Sequence, residues 1–430
     1  MAKYILVLIA FGAGITVWQF FPTWSLLPAF TPLSTESLEQ AEEPQSQEEV
    51  ERPERQLPEE WRAVYLTSWA AGRRSIEEQI LLLGKEVGVN AVVVDLKDFS
   101  GLVSYDTDVL EVAAIGAETN RIPDLAGFAS RLQEAGIFVI GRITVFQDPV
   151  LAAARPDLAL QRVGEAGEPW LDNNGIGWLD PAAQEVWEYN VKLAADALAK
   201  GVDEINFDYV RFPSDGDLAD IAYPVWEEDI PRREIIRGFF AFLRENLPEA
   251  VLSVDLFGLV ALDTWDDMGV GQVLEDAFPY FDYVSPMVYP SHYAAGFAGF
   301  ENPDAHPYEV VRISLEKAKE RLIASGETGV RLRPWLQYFT LRRSDAEYDS
   351  SKFRSQIEAT KDALGEQYAG FALWNPESRY PLEEMKEIFF ESRALTGRLS
   401  PECVKPVFTQ SLVEVVLLVT GEGYDNIEQE

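Results

Sequence analysis

Eight short apolar runs alternate with amphipathic helical segments from Trp61 onward, and this alternation limits the folds that the chain can adopt. The runs have the length and composition of buried strands, and the segments between them show helical periodicity. Three helical segments stop at a glycine just before the next run, which is typical of a left-handed C-cap. The runs are RAVYLTS (62–68), NAVVVDLK (90–97), IFVIGRITVF (137–146), DEINFDYVRF (203–212), VLSVDLFG (251–258), DYVSPMVY (282–289), RLRPWLQYF (331–339) and AGFALWN (369–375).

Strand–helix alternation repeated eight times predicts an α/β fold, a (β/α)8 TIM barrel with a parallel sheet. The alternative is a doubly wound open sheet, which usually carries a glycine-rich phosphate-binding turn after its first strand. Here the corresponding turn reads SWAAG (68–72), which is not GxGxxG, so the barrel is favoured. Asp180-Pro181 predicts the start of a helix over 181–200, with the aspartate as N-cap and the proline at the first helical position.

The segments outside the predicted barrel (61–395) differ from it in composition. Residues 1–24 are predicted to be a signal or membrane anchor, since 4–20 carry no charge and aromatic residues suit the membrane interface. An uncleaved anchor is favoured over a removed signal peptide, and it would place the rest of the chain outside the cytoplasm. Residues 25–60, rich in glutamate and proline, are predicted to be a disordered acidic linker. The packing of a C-terminal extension, 396–430, is left open.

Charge and composition narrow the chemistry. The formal net charge is −36, which argues against nucleic acid as a partner because nucleic-acid binding needs a basic face. A single cysteine, Cys403, excludes an internal disulfide framework and a thiolate metal cluster. The only histidines, His292 and His306, are too few to favour a zinc site or a Ser-His-Asp triad. We therefore expect no metal and no organic cofactor, and we expect carboxylates to carry any acid–base chemistry.

The active site of a parallel barrel lies at the carboxyl ends of its strands. Asp208 and Asp255 follow alternating apolar residues in the fourth and fifth runs, so they are predicted to share one face of adjacent strands. Hydrolysis of a glycosidic bond needs two carboxyl groups, one as acid and one as nucleophile or base, in different environments. Alternatively, Asp208 and Arg211 form a structural ion pair and Asp255 binds loop amides.

Other side chains predicted at the same rim would bind the substrate. Charged residues would position the sugar or tune the catalytic carboxylates, and aromatic residues would stack on sugar rings. A histidine there could equally hydrogen-bond within its own loop. The predicted substrate-binding residues are Asp95, Arg142, Arg211, Tyr289, His292, Trp335 and Trp374. Trp69, Trp178 and Trp265 also fall in or beside loops at this rim, and Asp98 to Gly101 could be an aspartate-initiated turn.

An ordered set of sequence blocks resembles the DUF4015 family of glycoside hydrolase-like domains over roughly residues 61–390. The blocks are WRAVYLTSW, NAVVVDLKDFSGLVSYDTD, GRITVFQDP, WLDPAAQEVWEYN, DEINFDYVRFPSDG, DLFG and SPMVYPSHY. The resemblance implies a TIM-barrel, glycosidase-like domain in bacterial extracytoplasmic proteins.

Two better-known barrel types differ from this chain at the fourth and fifth strands. Chitinase-like barrels end strand 4 with DxxDxDxE, and the last glutamate is the acid. Here Val210 stands at that position, so chitinase-type chemistry is not favoured. Alpha-amylase-type barrels place a nucleophilic aspartate at the end of strand 4, which Asp208 resembles. Their acid is a glutamate on strand 5, where this chain has Asp255, so the identity of the acid stays open.

Together these features predict a membrane-tethered, extracytoplasmic glycosidase that acts on a polysaccharide. Asp208 is the predicted nucleophile or base and Asp255 the predicted acid. A different class of function, a non-catalytic barrel that binds cell-wall glycan, fits the same pattern. A third hypothesis is a metal-dependent carbohydrate esterase with an all-carboxylate site.

Overall fold

The computed structural model of this chain describes residues 56–262, 267–341 and 346–390. The predicted anchor, most of the predicted linker, the predicted extension and Trp265 lie outside these ranges. Of the helices within them, none combines the length and the apolar character that a membrane crossing requires. The architecture below is therefore that of the predicted barrel segment.

Eight parallel strands close into a barrel, in which each strand pairs with the next and the last pairs with the first. Arg333 and Pro334 divide the seventh strand into two parts, since proline has no N–H to donate to the ladder. The strands are β1 (Trp61–Leu66), β2 (Ala91–Lys97), β3 (Phe138–Thr144), β4 (Glu204–Asp208), β5 (Leu252–Phe257), β6 (Tyr283–Val288), β7 (Arg331–Leu332 and Trp335–Gln337) and β8 (Gly370–Trp374). Seven predicted runs each contain a whole strand, and the first run contains all of β1 except Trp61, so the predicted (β/α)8 barrel is confirmed.

A helix follows each strand and packs its apolar face on the barrel. In the first helix Ile80, Leu83 and Val87 recur at helical spacing and are each at most 1% exposed. That helix ends at Gly88 with a left-handed φ of 78°, which confirms the predicted glycine cap. The helices are α1 (Arg74–Val87), α2 (Leu125–Glu134), α3 (Gln184–Ala199), α4 (Arg232–Asn246), α5 (Leu274–Ala277), α6 (Pro307–Ser325), α7 (Ser350–Leu364) and α8 (Leu382–Phe390).

The prediction that Asp180 caps α3 is wrong, because α3 begins only at Gln184. The Asp180 carboxylate accepts hydrogen bonds from the amides of Ala182, Val225 and Trp226, at 2.9, 2.8 and 2.8 Å. The side chain therefore tethers the loop before α4 to the turn that precedes α3. A local capping signal was overridden by a contact distant in sequence.

Extra structure is concentrated in the loops that follow the first four strands. The strand Val103–Tyr105 pairs antiparallel with β2, and the strand Glu118–Ile122 pairs parallel with Val103–Tyr105. After β3, Gln161–Arg162 pairs with Glu165–Pro169 and with Ile221–Ala222 of the β4–α4 loop. Short helices occupy Ser68–Ala71, Leu110–Ile115 and Pro149–Ala154. Loops that follow strands emerge at the carboxyl end of the barrel, so these additions surround the end where a site is expected.

Candidate active site

Asp208 is the last residue of β4, because the backbone turns sharply after it. Tyr209 has a left-handed φ of 53°, a conformation that bulky residues rarely adopt. Its amide donates a 2.6 Å hydrogen bond to Asp208 Oδ1. The predicted run 203–212 is therefore too long at its end, while the predicted position of Asp208 at the carboxyl end of the strand agrees with the structure. A strained residue beside a carboxylate is a common feature of functional sites.

Asp255 lies beside Asp208 because of the register between β4 and β5. Ser253 stands opposite Asn206 and Val254 opposite Phe207, so the next residue on each strand is an aspartate. Both Oδ2 atoms lie near the same nitrogen, Arg142 Nε, at 3.2 Å for Asp208 and 4.0 Å for Asp255. The sum of these distances is an upper limit on their separation. That limit is compatible with the range of about 5 to 9.5 Å in which carboxyl pairs of glycosidases act.

Arg142, which projects from β3, connects three buried carboxyl groups. Its Nη1 donates to Asp95 Oδ1 at 2.7 Å, and its Nη2 and Nε both donate to Asp208 Oδ2. The side chain of Arg142 is 1% exposed, and those of Asp95, Asp208 and Asp255 are 4%, 8% and 1% exposed. Four of the predicted site residues are thus brought together. The arginine that contacts Asp208 is Arg142.

The electrostatic environments of the carboxyl groups differ. Burial raises the pKa of Asp255 well above its ordinary range, and the neighbouring charge of Asp208 raises that pKa further. Arg142 and hydrogen bonds from Asn206 and Trp335 lower the pKa of Asp255 but only partly offset the burial. Burial also raises the pKa of Asp95, against the opposing charge of Arg142. Asp255 is consequently a carboxyl group that tends to keep its proton.

This raised pKa has a consequence for stability. The unfolded chain ionises Asp255 at an ordinary pKa of about 4, whereas the folded chain keeps the proton to higher pH. The free energy of unfolding should therefore fall as pH rises from about 4 towards the raised folded-state pKa. In Asp255→Asn this decrease in the free energy of unfolding should be absent. It amounts to about 1.4 kcal/mol for each unit by which folding raises the pKa of Asp255. Urea unfolding of both proteins between pH 4 and 8 measures it.

The control for that measurement is Asp108→Asn, since the side chain of Asp108 is 87% exposed. This variant should keep the pH dependence of the wild type. Parallel curves for the wild type and Asp255→Asn would show that Asp255 does not hold a proton in the folded protein.

An aromatic cluster borders the carboxyl groups. Tyr65 stacks on Trp374 with ring centroids 3.9 Å apart, and Trp335 meets Trp374 edge-on at 5.5 Å. The Tyr65 hydroxyl donates to Asp95 Oδ2, and the Arg142 guanidinium lies 5.1 Å from the Trp374 ring. Trp335 and Trp374 therefore lie where the sequence predicted. Tyr65 was missed, although it is the polar-tipped residue between Val64 and Leu66 in the first run.

A buried polar chain connects Asp255 with the interior of the barrel. Asn206 Nδ2 donates to Asp255 Oδ1 at 2.8 Å and to Ser253 Oγ at 3.0 Å. Ser253 in turn donates to Glu204 Oε1 at 2.5 Å, and Glu204 forms an ion pair with Arg333, whose Nη1 lies 3.0 Å from Oε2. Each of these side chains is at most 3% exposed. The chain holds the Asp255 carboxyl in one orientation, and polar residues at every second position of β4 were the overlooked sequence signal.

Arg211 lies outside this cluster, in the loop after β4. Its guanidinium packs 4.9 Å from the Trp178 ring and 4.7 Å from the Phe257 ring, and its Nη1 donates to Ser214 Oγ at 2.9 Å. Trp178 is itself buried and donates to Asp172 at 2.8 Å. The structure therefore places Arg211 and Trp178 together in the packing of the β3–α3 and β4–α4 loops.

Tyr289 and His292 form a second aromatic group after β6. Their ring centroids are 5.5 Å apart, and Phe339 lies 6.1 Å from Tyr289 and 6.2 Å from His292. Ser291 Oγ lies 3.0 Å from His292 Nδ1. Both residues are at the carboxyl end of the barrel, as predicted, on the β6–β7 side.

A metal site was one of the alternatives. Within the described ranges no group of three or more His, Cys, Asp or Glu side chains is arranged to hold a metal ion. Among the three carboxyl groups of the candidate site, the position that a cation would occupy is taken by the Arg142 guanidinium. The positive charge between these carboxylates is supplied by the protein itself.

Solved structures with the same barrel include known glycoside hydrolases. The PgaB (BpsB) glycoside hydrolase domain from Bordetella bronchiseptica matches with a TM-score of 0.52 and 15% identity, over 77% of this chain and 99% of that one. Alpha-L-fucosidase isoenzyme 2 from Paenibacillus thiaminolyticus matches with a TM-score of 0.51 and 14% identity, over 76% of this chain and 48% of that one. At these identities the likeness concerns the fold alone.

Sequence similarity is higher to a hypothetical protein from Ruminiclostridium thermocellum. The two sequences are 36% identical, and the match covers 45% of this chain and 96% of that one. The crystal structure of that protein matches with a TM-score of 0.41. Among curated proteins, none matches this chain. A family model described as "Putative glycosyl hydrolase domain" matches residues 63–380, most of the chain. The chain therefore belongs to this family, DUF4015, as the sequence blocks predicted.

Proposed function

We propose that this protein is a glycoside hydrolase that cleaves glycosidic bonds of an extracytoplasmic polysaccharide with Asp208 and Asp255. The observation that carries the proposal is the pairing of these two carboxyl groups at adjacent strand ends, near a single guanidinium nitrogen. Membership of a family described as a glycosyl hydrolase domain supports the reaction class.

The two carboxyl groups would have different catalytic roles because their surroundings differ. Asp208 accepts hydrogen bonds from Arg142 and from the Tyr209 amide, which hold its carboxyl group in the position that a nucleophile or a base needs. The raised pKa of Asp255 suits the acid that protonates the leaving oxygen of the glycosidic bond. In the first step the Asp255 proton passes to that oxygen as its bond to the anomeric carbon breaks. Asp208 then attacks this carbon or activates a water.

Neighbouring side chains would hold the sugar and the carboxylates in place. The stacked pair Tyr65 and Trp374, with Trp335 beside it, offers apolar faces that suit a sugar ring. Arg142 would orient the carboxyl group of Asp208, and Asn206 would orient that of Asp255. Asp255, whose pKa is raised, would then supply the proton that general acid catalysis requires.

The test is the release of new reducing ends from a panel of neutral polysaccharides by the wild-type protein. Release that disappears in Asp208→Asn is the expected result. Binding without any release would instead favour the non-catalytic glycan-binding barrel, and activity that is lost in EDTA would favour the metal-dependent esterase.

We propose in addition that the chain is tethered outside the cytoplasm. The proposal rests on the uncharged segment 4–20 and the acidic, proline-rich stretch that follows it. Full-length protein expressed in bacteria should sediment with the membranes and be cleaved by protease added to spheroplasts, whereas a chain that starts at residue 56 should stay in the soluble fraction. A full-length protein that is soluble and protected from the protease would contradict the proposal.

A further inference from the structure

Trp69 is exposed at the same end of the barrel as the candidate site. It belongs to the short helix Ser68–Ala71, which directly follows β1, and 60% of its surface is accessible. Trp61, Trp178, Trp335 and Trp374, by contrast, are at most 7% exposed. Packing in the core does not explain a tryptophan that stands out from the rim.

The ring of Trp69 is held in place from one side. The Arg121 guanidinium lies 4.6 Å from its centroid. Arg121 Nη1 is fixed in turn by Ser68 Oγ at 3.1 Å and by Asp98 Oδ2 at 2.8 Å. The side chains of Arg121 and Asp98 are only 10% and 14% exposed, so the support is rigid. The guanidinium lies over one face of the ring, and most of the residue stays accessible to a ligand.

The backbone around Trp69 is built to allow this contact. Arg121 lies on the strand Glu118–Ile122, which passes very close to the end of the short helix. A Cβ atom at Gly72 would lie 1.9 Å from the Arg121 carbonyl oxygen, so only glycine permits this approach. On the other side, the Thr67 amide donates to Ser378 Oγ at 2.9 Å. The short helix is therefore anchored both to the extra strand and to the loop after β8.

The exposed Trp69 ring, with Arg121 and Asp98 that support it, adjoins the carboxyl groups of the candidate site. Asp98 follows Asp95 by three residues, a reach of about 10 Å along the chain, and its charge contributes to the raised pKa of Asp95. Trp69 follows Tyr65, which donates to Asp95, by four residues. A chain of a few sugars that occupies the candidate site would pass over the Trp69 ring if it runs towards the β1–β2 side.

We propose that Trp69, supported by Arg121 and Asp98, forms an outer sugar subsite, and that the substrate is a glycan chain of several sugars rather than a single terminal sugar. The inference rests on the proposed function, because it extends the same site. The ring offers the apolar face on which the C–H face of a sugar stacks, and its rigid support keeps the entropic cost of binding small.

The test compares Trp69→Ala with Trp69→Phe, which keeps an aromatic face, and with Ile323→Ala. Ile323 is also well exposed, at 64%, but it lies on α6. Native gel electrophoresis in the presence of glycol chitin, xylan, galactomannan, hydroxyethyl cellulose, dextran or pullulan measures binding to each polymer. We expect at least one polymer to retard the wild type, Trp69→Phe and Ile323→Ala, and Trp69→Ala to bind that polymer about tenfold more weakly.

Equal retardation of Trp69→Ala and wild type would overturn the subsite, and so would the absence of retardation by all six polymers. Hydrolysis of the bound polymer separates this inference from the proposed function. Trp69-dependent binding without release of reducing ends would support the subsite and contradict the proposed glycosidase activity. Cleavage that is equally efficient in Trp69→Ala and in the wild type would support the glycosidase activity and contradict the subsite. Where cleavage occurs, Trp69→Ala should raise KM for the polymer.

Discussion

Asp208→Asn is expected to lower the rate of glycosidic bond cleavage by about 10³-fold or more, with glycan binding retained. The substitution keeps the shape of the side chain and removes the charge that would attack the anomeric carbon or activate water. An amide presents one oxygen, so one of the donors now satisfied by Asp208, from Arg142 or the Tyr209 amide, loses its acceptor. The free energy of unfolding should fall by about 1–3 kcal/mol for this reason, and the rate should be measured well below the melting temperature.

The matched control is again Asp108→Asn, which removes a carboxylate that is 87% exposed and should leave the rate unchanged. Reducing-end release on the polysaccharide that the wild type cleaves gives the rate, and native gel retardation gives the binding. A variant that keeps more than a tenth of the wild-type rate would rule out Asp208 as nucleophile or base. The carboxylate of Asp95 would then be the next to substitute.

Arg142→Met is expected to cost about 3–5 kcal/mol of unfolding free energy at pH 7, the largest effect on stability that we predict. Methionine fills much of the same space but leaves Asp95, Asp208 and Asp255 without the guanidinium that contacts all three. Without it, the pKa values of Asp95 and Asp255, which burial already raises, should rise further. Because protonated carboxyls need no counter-charge, the loss should shrink as pH falls towards 4 and grow as pH rises.

Urea unfolding at pH 4.5 and at pH 7 measures both the size and the pH dependence of the loss. Arg155→Met is the control, since the side chains of Arg155 and its partner Asp157 are 41% and 62% exposed. An exposed pair contributes at most about 1 kcal/mol, so this variant should remain close to the wild type at both pH values. A loss in Arg142→Met that is the same at both pH values would show that the buried carboxyls do not depend on Arg142 for their charge.

Most of the fold could be predicted from the sequence because the periodicities of strands and helices are local properties. Every predicted run overlaps a barrel strand, and the glycine after α1 has the expected left-handed conformation. The errors also arose from local signals. Asp180 was predicted as a helix cap but binds the loop before α4. Strand β4 ends before the predicted fourth run does, because Tyr209 leaves the strand.

The residues of the site were predicted less completely than the fold. Asp95, Arg142, Asp208 and Asp255 could be found because polar residues at the carboxyl ends of parallel strands must meet at one rim. Tyr65 and the chain from Asn206 to Arg333 were missed, since inward-facing polar residues within a strand look like isolated exceptions in a one-dimensional pattern. Their partners lie on other strands, in the case of Glu204 and Arg333 129 positions away.

By itself the sequence determined the order of strands and helices, the closure into a barrel and the rim on which the carboxylates lie. Only the tertiary structure decided which charges pair. Asp208 binds Arg142, 66 positions earlier, although Arg211 is three residues away. The reason is physical: the register between neighbouring strands sets which side chains face each other across the barrel. Burial then sets the pKa of each carboxyl group. Neither the strand register nor the burial of a side chain can be inferred from the local pattern of residues.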